Sequence, residues 1–314
     1  MGGRRLAAIA FALFAGCVKL DGFLFDSQGA SLDDYDFTSD ALDGIAPDRI
    51  TSELVPSGEG GDLMHVIYVE RDVAKLDPRL DPADDITVVF SHGNTGNMLR
   101  YWYRVGYFED MGFNVLMYDY RGYGASGGTT TEGHIYVDVE TAYDYVKEKH
   151  DAGAVFSVGY SLGGAPAIHL CSPESGREVA ACFTESAFAS VDELVKSGTD
   201  YDLPGSWLAD ARFDNASHIA DVTVPFMIMH GTADATVDYR QSRILWRAVS
   251  GNNPLNRFFR VEGATHHNVP VPSYEGDEEP REFSHPDEMP AALHREFEVY
   301  KKRIVDFVVD AMGR

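Results

Sequence analysis

The chain holds one serine set for nucleophilic chemistry. Residues Gly159-Tyr160-Ser161-Leu162-Gly163 follow the apolar, strand-like run Ala154-Val155-Phe156-Ser157-Val158 and precede a Gly/Ala-rich, helix-compatible run, Gly163 to Leu170. A serine in a sharp strand-to-helix turn projects its hydroxyl outward, and the positions two before and two after it must be small to let the chain turn. The helix start leaves backbone N–H groups beside that hydroxyl, ready for a developing negative charge. A serine alone is a weak nucleophile and needs a base held by a third group. Downstream, the apolar run Val224–Met229 ends in His230-Gly231-Thr232-Ala233-Asp234, and the strand-like run Arg257–Val261 ends in Gly263-Ala264-Thr265-His266-His267-Asn268. These place a carboxylate, Asp234, and an imidazole, His266, just past two strand ends, the edge at which open parallel sheets bind ligands. His266 would take the proton of Ser161, and Asp234 would fix the imidazole tautomer and stabilise the imidazolium.

Alternatives stand beside each assignment. Asp234 could instead cap the helix expected from about Val237. Glu185, after the strand expected at Ala180–Thr184, is a rival acid. His267-Asn268 offers a competing register for the base. His150, His169 and His294 fall on expected helices and read as surface or packing residues.

The run Ile86-Thr87-Val88-Val89-Phe90 reads as a β-branched strand that feeds Ser91-His92-Gly93-Asn94-Thr95-Gly96-Asn97. Such a loop turns back over the sheet, and the backbone N–H groups of Asn94 and Leu162 are the expected oxyanion-hole donors. His92 is expected to brace the loop. The loop lacks the Lys and Ser/Thr of a phosphate-binding P-loop.

Taken together, His92–Asn97, Asp119–Gly127, Gly159–Gly163, His230–Asp234 and Gly263–His266 resemble one branch of the α/β-hydrolase superfamily. That branch comprises compact serine hydrolases related to protein depalmitoylases and to prolyl-oligopeptidase-like and serine aminopeptidase catalytic domains. The resemblance runs from about Arg49 to the C-terminus. It implies an α/β fold, with a mostly parallel central sheet, helices on both faces and a small lid, and the chain order nucleophile, acid, base. Similar enzymes usually carry one His followed by Asn, whereas His266 and His267 stand together here.

The elements that must position these residues alternate as strands and helices. An opening hairpin is expected at Arg49–Val55 with Asp62–Val69. Helices are expected at Met98–Met111, Glu132–Lys149, Asp238–Ser250 and 291–311, with a further strand at Asn114–Tyr118. In the last helix Leu293, Phe297, Tyr300, Ile304, Phe307 and Val308 recur at helical spacing, an ordinary core stripe. The rhythm breaks at about 186–220, read as the lid or a pocket wall. There Phe188, Trp207, Leu208 and Phe213 are candidates for an acyl or aromatic pocket, or equally for packing. Residues 270–290 form an acidic, Pro-containing loop whose composition suggests exposure.

The first residues carry a different signal. Met1-Gly2-Gly3-Arg4-Arg5 is a basic start, Leu6–Phe14 a short apolar stretch, and Ala15-Gly16-Cys17 a lipobox-like end. The stretch is too short for a stable span and fits a secretory signal over 1–17, with lipidation expected at Cys17. Residues 18–48 read as a tether or irregular segment, and 49–314 as the catalytic domain. The expected location is the bacterial cell envelope, as a lipoprotein on a periplasmic or outer-membrane face, or secretion. In an oxidising compartment Cys171 and Cys182 could pair, although two buried free thiols are expected. No zinc-type Cys/His spacing is present, and neither a metal nor any other cofactor is expected.

The chain has 314 residues and a formal net charge of −24, from 26 basic and 50 acidic side chains. Such a balance repels nucleic acid and anionic head groups, so no nucleic-acid partner is expected and membrane contact would come only through the N-terminal lipid. The expected partner is a small-molecule or acylated substrate; the oligomeric state is unknown. The sequence thus points to a serine hydrolase cleaving a carboxylic ester or thioester through an acyl-enzyme. A peptidase or amidase using the same residues is one alternative, and a silent, surface-anchored binding module is another.

Overall fold

Apolar residues fill the central strands without the polar alternation of a half-exposed sheet, which requires cover on both faces. The computed structural model describes residues 25–35, 45–198, 210–249, 251–267 and 291–314, with the side chains of 291–296 outside that description. Eight strands form one sheet: β1 (Ile50–Pro56), β2 (Leu63–Val69), β3 (Ile86–Ser91), β4 (Asn114–Tyr118), β5 (Ala154–Tyr160), β6 (Ala181–Glu185), β7 (Phe226–Gly231) and β8 (Arg257–Val261). Their order is β1-β2-β4-β3-β5-β6-β7-β8. The β1–β2 and β2–β4 pairs are antiparallel and the rest parallel.

The helices are α1 (Trp102–Glu109), α2 (Glu132–His150), α3 (Gly164–Cys171), α4 (Val191–Gly198), α5 (Asn215–Ala220), α6 (Arg240–Val249) and α7 (Ala291–Ala311). Successive strand residues point to opposite faces, so the sheet divides the core in two. Val88, Phe90, Met117 and Val158 pack with α1 and with Phe297, Tyr300, Ile304, Phe307 and Val308 of α7. Val89, Leu116 and Tyr118 pack on the other face with Ile135, Val139 and Val146 of α2, Ile168 of α3, Ile219 of α5 and Leu245 of α6.

Most expected boundaries hold within two residues, and the differences have local causes. The first strand begins at Ile50 because Pro47–Arg49 forms a 3-10 turn whose Pro fixes its start. The expected helix Met98–Met111 is a 3-10 turn, Met98–Tyr101, continued by α1. Helix α6 starts two residues late because Asp238 acts as its cap, its carboxylate accepting the Arg240 N–H at 2.7 Å. The strand expected at Ala180–Thr184 lies one residue on, at Ala181–Glu185. Within 186–220 the structure describes α4 and α5, while 199–209 lie outside the described residues.

The largest difference concerns the segment expected as a tether. Residues 25–35 dock against the body. Ser27 bridges Gly96 and Gly29 bridges Gly124, each in parallel register. The Phe25 ring meets the Phe213 ring edge-on at 6.2 Å, and Tyr35 is buried.

Candidate active site

Strand β5 delivers Ser161 to the sheet's C-terminal edge, and a 3-10 turn, Ser161–Gly163, leads into α3. Ser161 has φ of 54°, in the left-handed region that an L-residue adopts only at a cost. The small neighbours are required: a Cβ on Gly159 would lie 2.1 Å from the Gly163 carbonyl oxygen, and one on Gly163 would lie 1.9 Å from that of Ser91. Leu162 is in the first turn, where backbone N–H groups have no intrahelical acceptor.

Two loops bring the partners to this serine. A Cβ on Gly231 would stand 2.2 Å from the Ala264 carbonyl oxygen, so glycine at the end of β7 lets the loop after β8 lie directly against it. That approach sets His266 Nδ1 2.7 Å from Asp234 Oδ2, and His266 Nε2 3.0 Å from Ser161 Oγ. Carboxylate on Nδ1 holds the proton there and leaves the Nε2 lone pair facing the hydroxyl. His266 and Asp234 are buried, and Ser161 is partly exposed.

The carboxylate is itself heavily supported. Asp234 Oδ1 accepts the N–H groups of Thr236 at 2.9 Å and Val237 at 2.8 Å. His230 Nε2 lies 3.1 Å from Asp234 Oδ2 and 2.8 Å from the Val237 carbonyl, so this nitrogen carries the proton. Burial alone would raise the Asp234 pKa, but hydrogen bonds from His230 and His266 outweigh it and hold the group well below the usual carboxylate range. The sequence signal for His230 is its place as the fifth residue of an apolar strand.

The neighbouring histidine points elsewhere. His267 is exposed, and its Nδ1 lies 3.2 Å from the Tyr160 hydroxyl, which also donates to the His266 carbonyl at 3.0 Å.

On the other side of Ser161 lies the 92–97 loop. His92 is fully buried, 2.7 Å from the Gly93 carbonyl through Nδ1 and 3.3 Å from Asp119 through Nε2. Its ring stacks on Tyr101 at 5.3 Å and tilts against Tyr120 at 4.4 Å. Asn94 follows, and its side-chain oxygen accepts the Asp26 N–H and the Tyr123 hydroxyl, both at 2.9 Å. The docked N-terminal segment threads between this loop and the 122–124 turn: Gly96 donates to the Asp26 carbonyl at 2.9 Å, Gly124 to that of Gln28 at 2.9 Å, and Ala30 to that of Gly124 at 2.8 Å. Asp119 accepts the Met98 N–H at 2.7 Å and also the Tyr35 hydroxyl. This strap leaves no signal in the sequence, because its pairing is wholly nonlocal and has no periodicity.

Several other candidates lie apart from Ser161. Glu185 is buried at the end of β6 and holds the Arg104 guanidinium and the Tyr300 hydroxyl. Phe188 and Phe213 are buried in the core, where their rings pack 6.0 Å apart. Cys171 and Cys182 are buried and free, and burial together with the neighbouring Cys171 pushes the Cys182 thiol up. Cys17, Trp207, Leu208 and the 270–290 loop lie outside the described residues. Among the described residues no helix is long and apolar enough to cross a membrane.

Comparison with known proteins agrees with this architecture. A family model described as serine aminopeptidase, S33, matches residues 82–204. Escherichia coli (strain K12) YfhR is 28% identical over 330 aligned positions, covering 99% of this chain and 97% of the relative. Human alpha/beta hydrolase domain-containing protein 17B is 30% identical over 205 residues, 63% of this chain and 66% of that protein. Among solved structures, the Pyrococcus furiosus esterase Pf2001 superposes with a TM-score of 0.62 at 17% identity, over 84% of this chain and 91% of its own. Est1E from Butyrivibrio proteoclasticus, solved with ferulic acid, gives 0.57 at 17% identity, over 83% and 100%. At such identities the structural likeness speaks to fold. With the family match and the curated relatives, the chain stands as a hydrolase of the α/β-hydrolase superfamily, related to the serine aminopeptidases.

Proposed function

We propose that this hydrolase cleaves a carboxylic ester or thioester through an acyl-enzyme formed on Ser161. The observation that carries the reading is the continuous hydrogen-bonded line Ser161–His266–Asp234, with Nε2 facing the hydroxyl. In the first step His266 Nε2 takes the Ser161 proton as Oγ attacks the acyl carbon. The same proton then passes to the departing alkoxide or thiolate. Asp234, ionised across the neutral range, stabilises the imidazolium formed between these transfers. The backbone N–H groups of Asn94 and Leu162 receive the oxyanion, and removing one such donor typically costs about 10²–10³-fold in rate. Water, activated by the same imidazole, releases the acid and restores Ser161.

A peptidase or amidase reading has the family description in its favour. Against it, Glu185, the acid best placed in the sequence to grip a substrate amino group, is committed to Arg104 and Tyr300 in the core. A silent binding module would not need the strained serine or the buried acid–base pair. We propose further that Cys17 is lipidated and that the enzyme works in the cell envelope, on the strength of the basic start, short apolar run and Ala15-Gly16-Cys17. A panel of p-nitrophenyl esters, acyl thioesters and aminoacyl amides tests the specificity. Turnover of esters and thioesters should exceed that of amides by orders of magnitude, and preferential amide turnover would reverse the reading.

A further inference from the structure

Two turns past Ser161, the far end of α3 carries a second histidine that hydrolysis does not use. His169 is 96% buried, being 4% exposed, and its ring stacks on Tyr136 of α2 at 4.4 Å. Its Nε2 lies 2.8 Å from Glu140 Oε1. The other Glu140 oxygen lies 3.1 Å from Arg177, which also pairs with Asp144 at 2.7 Å. Glu140 therefore stays an acceptor and holds the imidazole proton on Nε2. His169 Nδ1 is left as a bare lone pair, buried and without a hydrogen-bond partner. Leaving a buried acceptor unsatisfied is costly, so its retention asks for a ligand.

Nδ1 faces two further donors from separate elements. Glu174, in the 3-10 turn Pro173–Ser175, brings Oε2 to 4.0 Å from His169 Nδ1, and His218 of α5 brings Nε2 to 3.6 Å from the same oxygen. One ligand atom from each lies within 4.8 Å of the others. Ligand atoms at about 2.0–2.1 Å from a tetrahedral ion stand roughly 3.4 Å apart, so the two Glu174 separations lie close to that spacing and the two imidazoles, within 4.8 Å of each other, close on the ion with it. A histidine whose distal nitrogen donates to a carboxylate is the usual support of a metal-bound imidazole.

We propose that His169 Nδ1, Glu174 Oε2 and His218 Nε2 form a site for a divalent transition ion of the Zn²⁺ type, oriented by Glu140. Two imidazoles and a carboxylate suit such an ion better than Ca²⁺ or Mg²⁺, which prefer all-oxygen shells. Three protein ligands leave a fourth position for water. The ion would pin α5, which closes the 186–220 region, to α3, which carries the nucleophile turn. The sequence hides this site because His169 and Glu174 are five residues apart and His218 is far along the chain, outside any zinc spacing.

Calorimetric titration of the chelator-stripped full chain with Zn²⁺ tests the site by a readout that does not depend on hydrolysis. We expect one saturable ion per chain in wild type and in His267→Ala, the control for binding near Ser161. His218→Ala and Glu174→Gln, both at exposed or partly exposed positions, should weaken binding at least 100-fold. Glu140→Gln should weaken it about 10–100-fold. X-ray absorption should show two imidazole nitrogens at about 2.0–2.1 Å. The proposal is overturned by the absence of saturable one-to-one binding, or by equal binding in the folded His218→Ala and Glu174→Gln proteins.

Discussion

Two buried acids stand side by side at the same edge of the sheet and meet opposite kinds of partner. Glu185 ends β6 and Asp234 follows β7, its neighbour. Glu185 is bound by the Arg104 guanidinium and the Tyr300 phenol. Burial would lower the Arg104 pKa, but Glu185 outweighs it and keeps the guanidinium charged. Asp234 instead meets two imidazoles and two backbone N–H groups. The Tyr160 ring separates the two systems, with Arg104 Cζ 4.7 Å from its centroid and the His266 ring at 5.3 Å. An acid facing a permanent cation has a fixed interaction. An acid facing a neutral imidazole gains interaction when that imidazole takes a proton, which is what a base in catalysis needs. Partner chemistry, not burial or place along the strand, separates the two roles.

The sharpest way to break this contrast is to neutralise each acid. Asp234→Asn should cost about 10⁴-fold in kcat with the fold retained, because the imidazole is left in the wrong tautomer. Glu185→Gln should cost about 3–5 kcal/mol of stability by stranding the Arg104 charge, with the surviving folded fraction still turning over. Urea unfolding and steady-state kinetics on both variants decide, and the reverse pattern would exchange the roles.

The two adjacent histidines give the next largest effect. His266→Ala should lose about 10⁴-fold in kcat/KM and His267→Ala less than about tenfold, since only His266 contacts Ser161 and Asp234. A severe loss in His267→Ala with normal His266→Ala would contradict the geometry.

A smaller effect tests whether the Tyr123–Asn94 bond positions the loop beside Ser161. Tyr123→Phe removes one of the bonds on the Asn94 side-chain oxygen. It should lower kcat several-fold with KM nearly unchanged, as expected for a group that aligns an oxyanion donor without touching ground-state substrate. An unchanged kcat would detach that bond from catalysis.

A further effect, on stability alone, lies away from both acids. Burial pushes His65 down from 6.5 to about 4. The unfolded chain therefore binds the extra proton first, and stability falls as pH drops from 6.5 towards 4 and is fully present above 6.5. Between pH 7 and pH 5 this group should cost about 2 kcal/mol, and His65→Gln should flatten the urea-unfolding profile by that amount.

These contrasts also mark what the sequence could convey. The meeting of Ser161, Asp234 and His266 is legible because each sits at a turn whose local chemistry is written in adjacent residues: Gly159 and Gly163, Gly231, Gly263 and Ala264. The strands and α7 were legible from apolar runs and helical spacing. Pairings between distant segments were not. Arg104 reads as an ordinary helix cation, and nothing near it announces Glu185, 81 residues on. Asp26 and Asn94 are 68 residues apart, and the polar stretch around Asp26 has the composition of a tether. Phe188 and Phe213 illustrate the reverse: aromatic type alone cannot separate a pocket wall from a core, and here the core claimed both.

The central claim is that Ser161 is the nucleophile, and a fluorophosphonate probe tests it most directly. Intact mass and peptide mapping of the labelled chain should show a single adduct on the peptide containing Ser161. The Ser161→Ala protein, folded by circular dichroism, should show none. Equal labelling of Ser161→Ala, or an adduct mapped to another residue, would contradict the account.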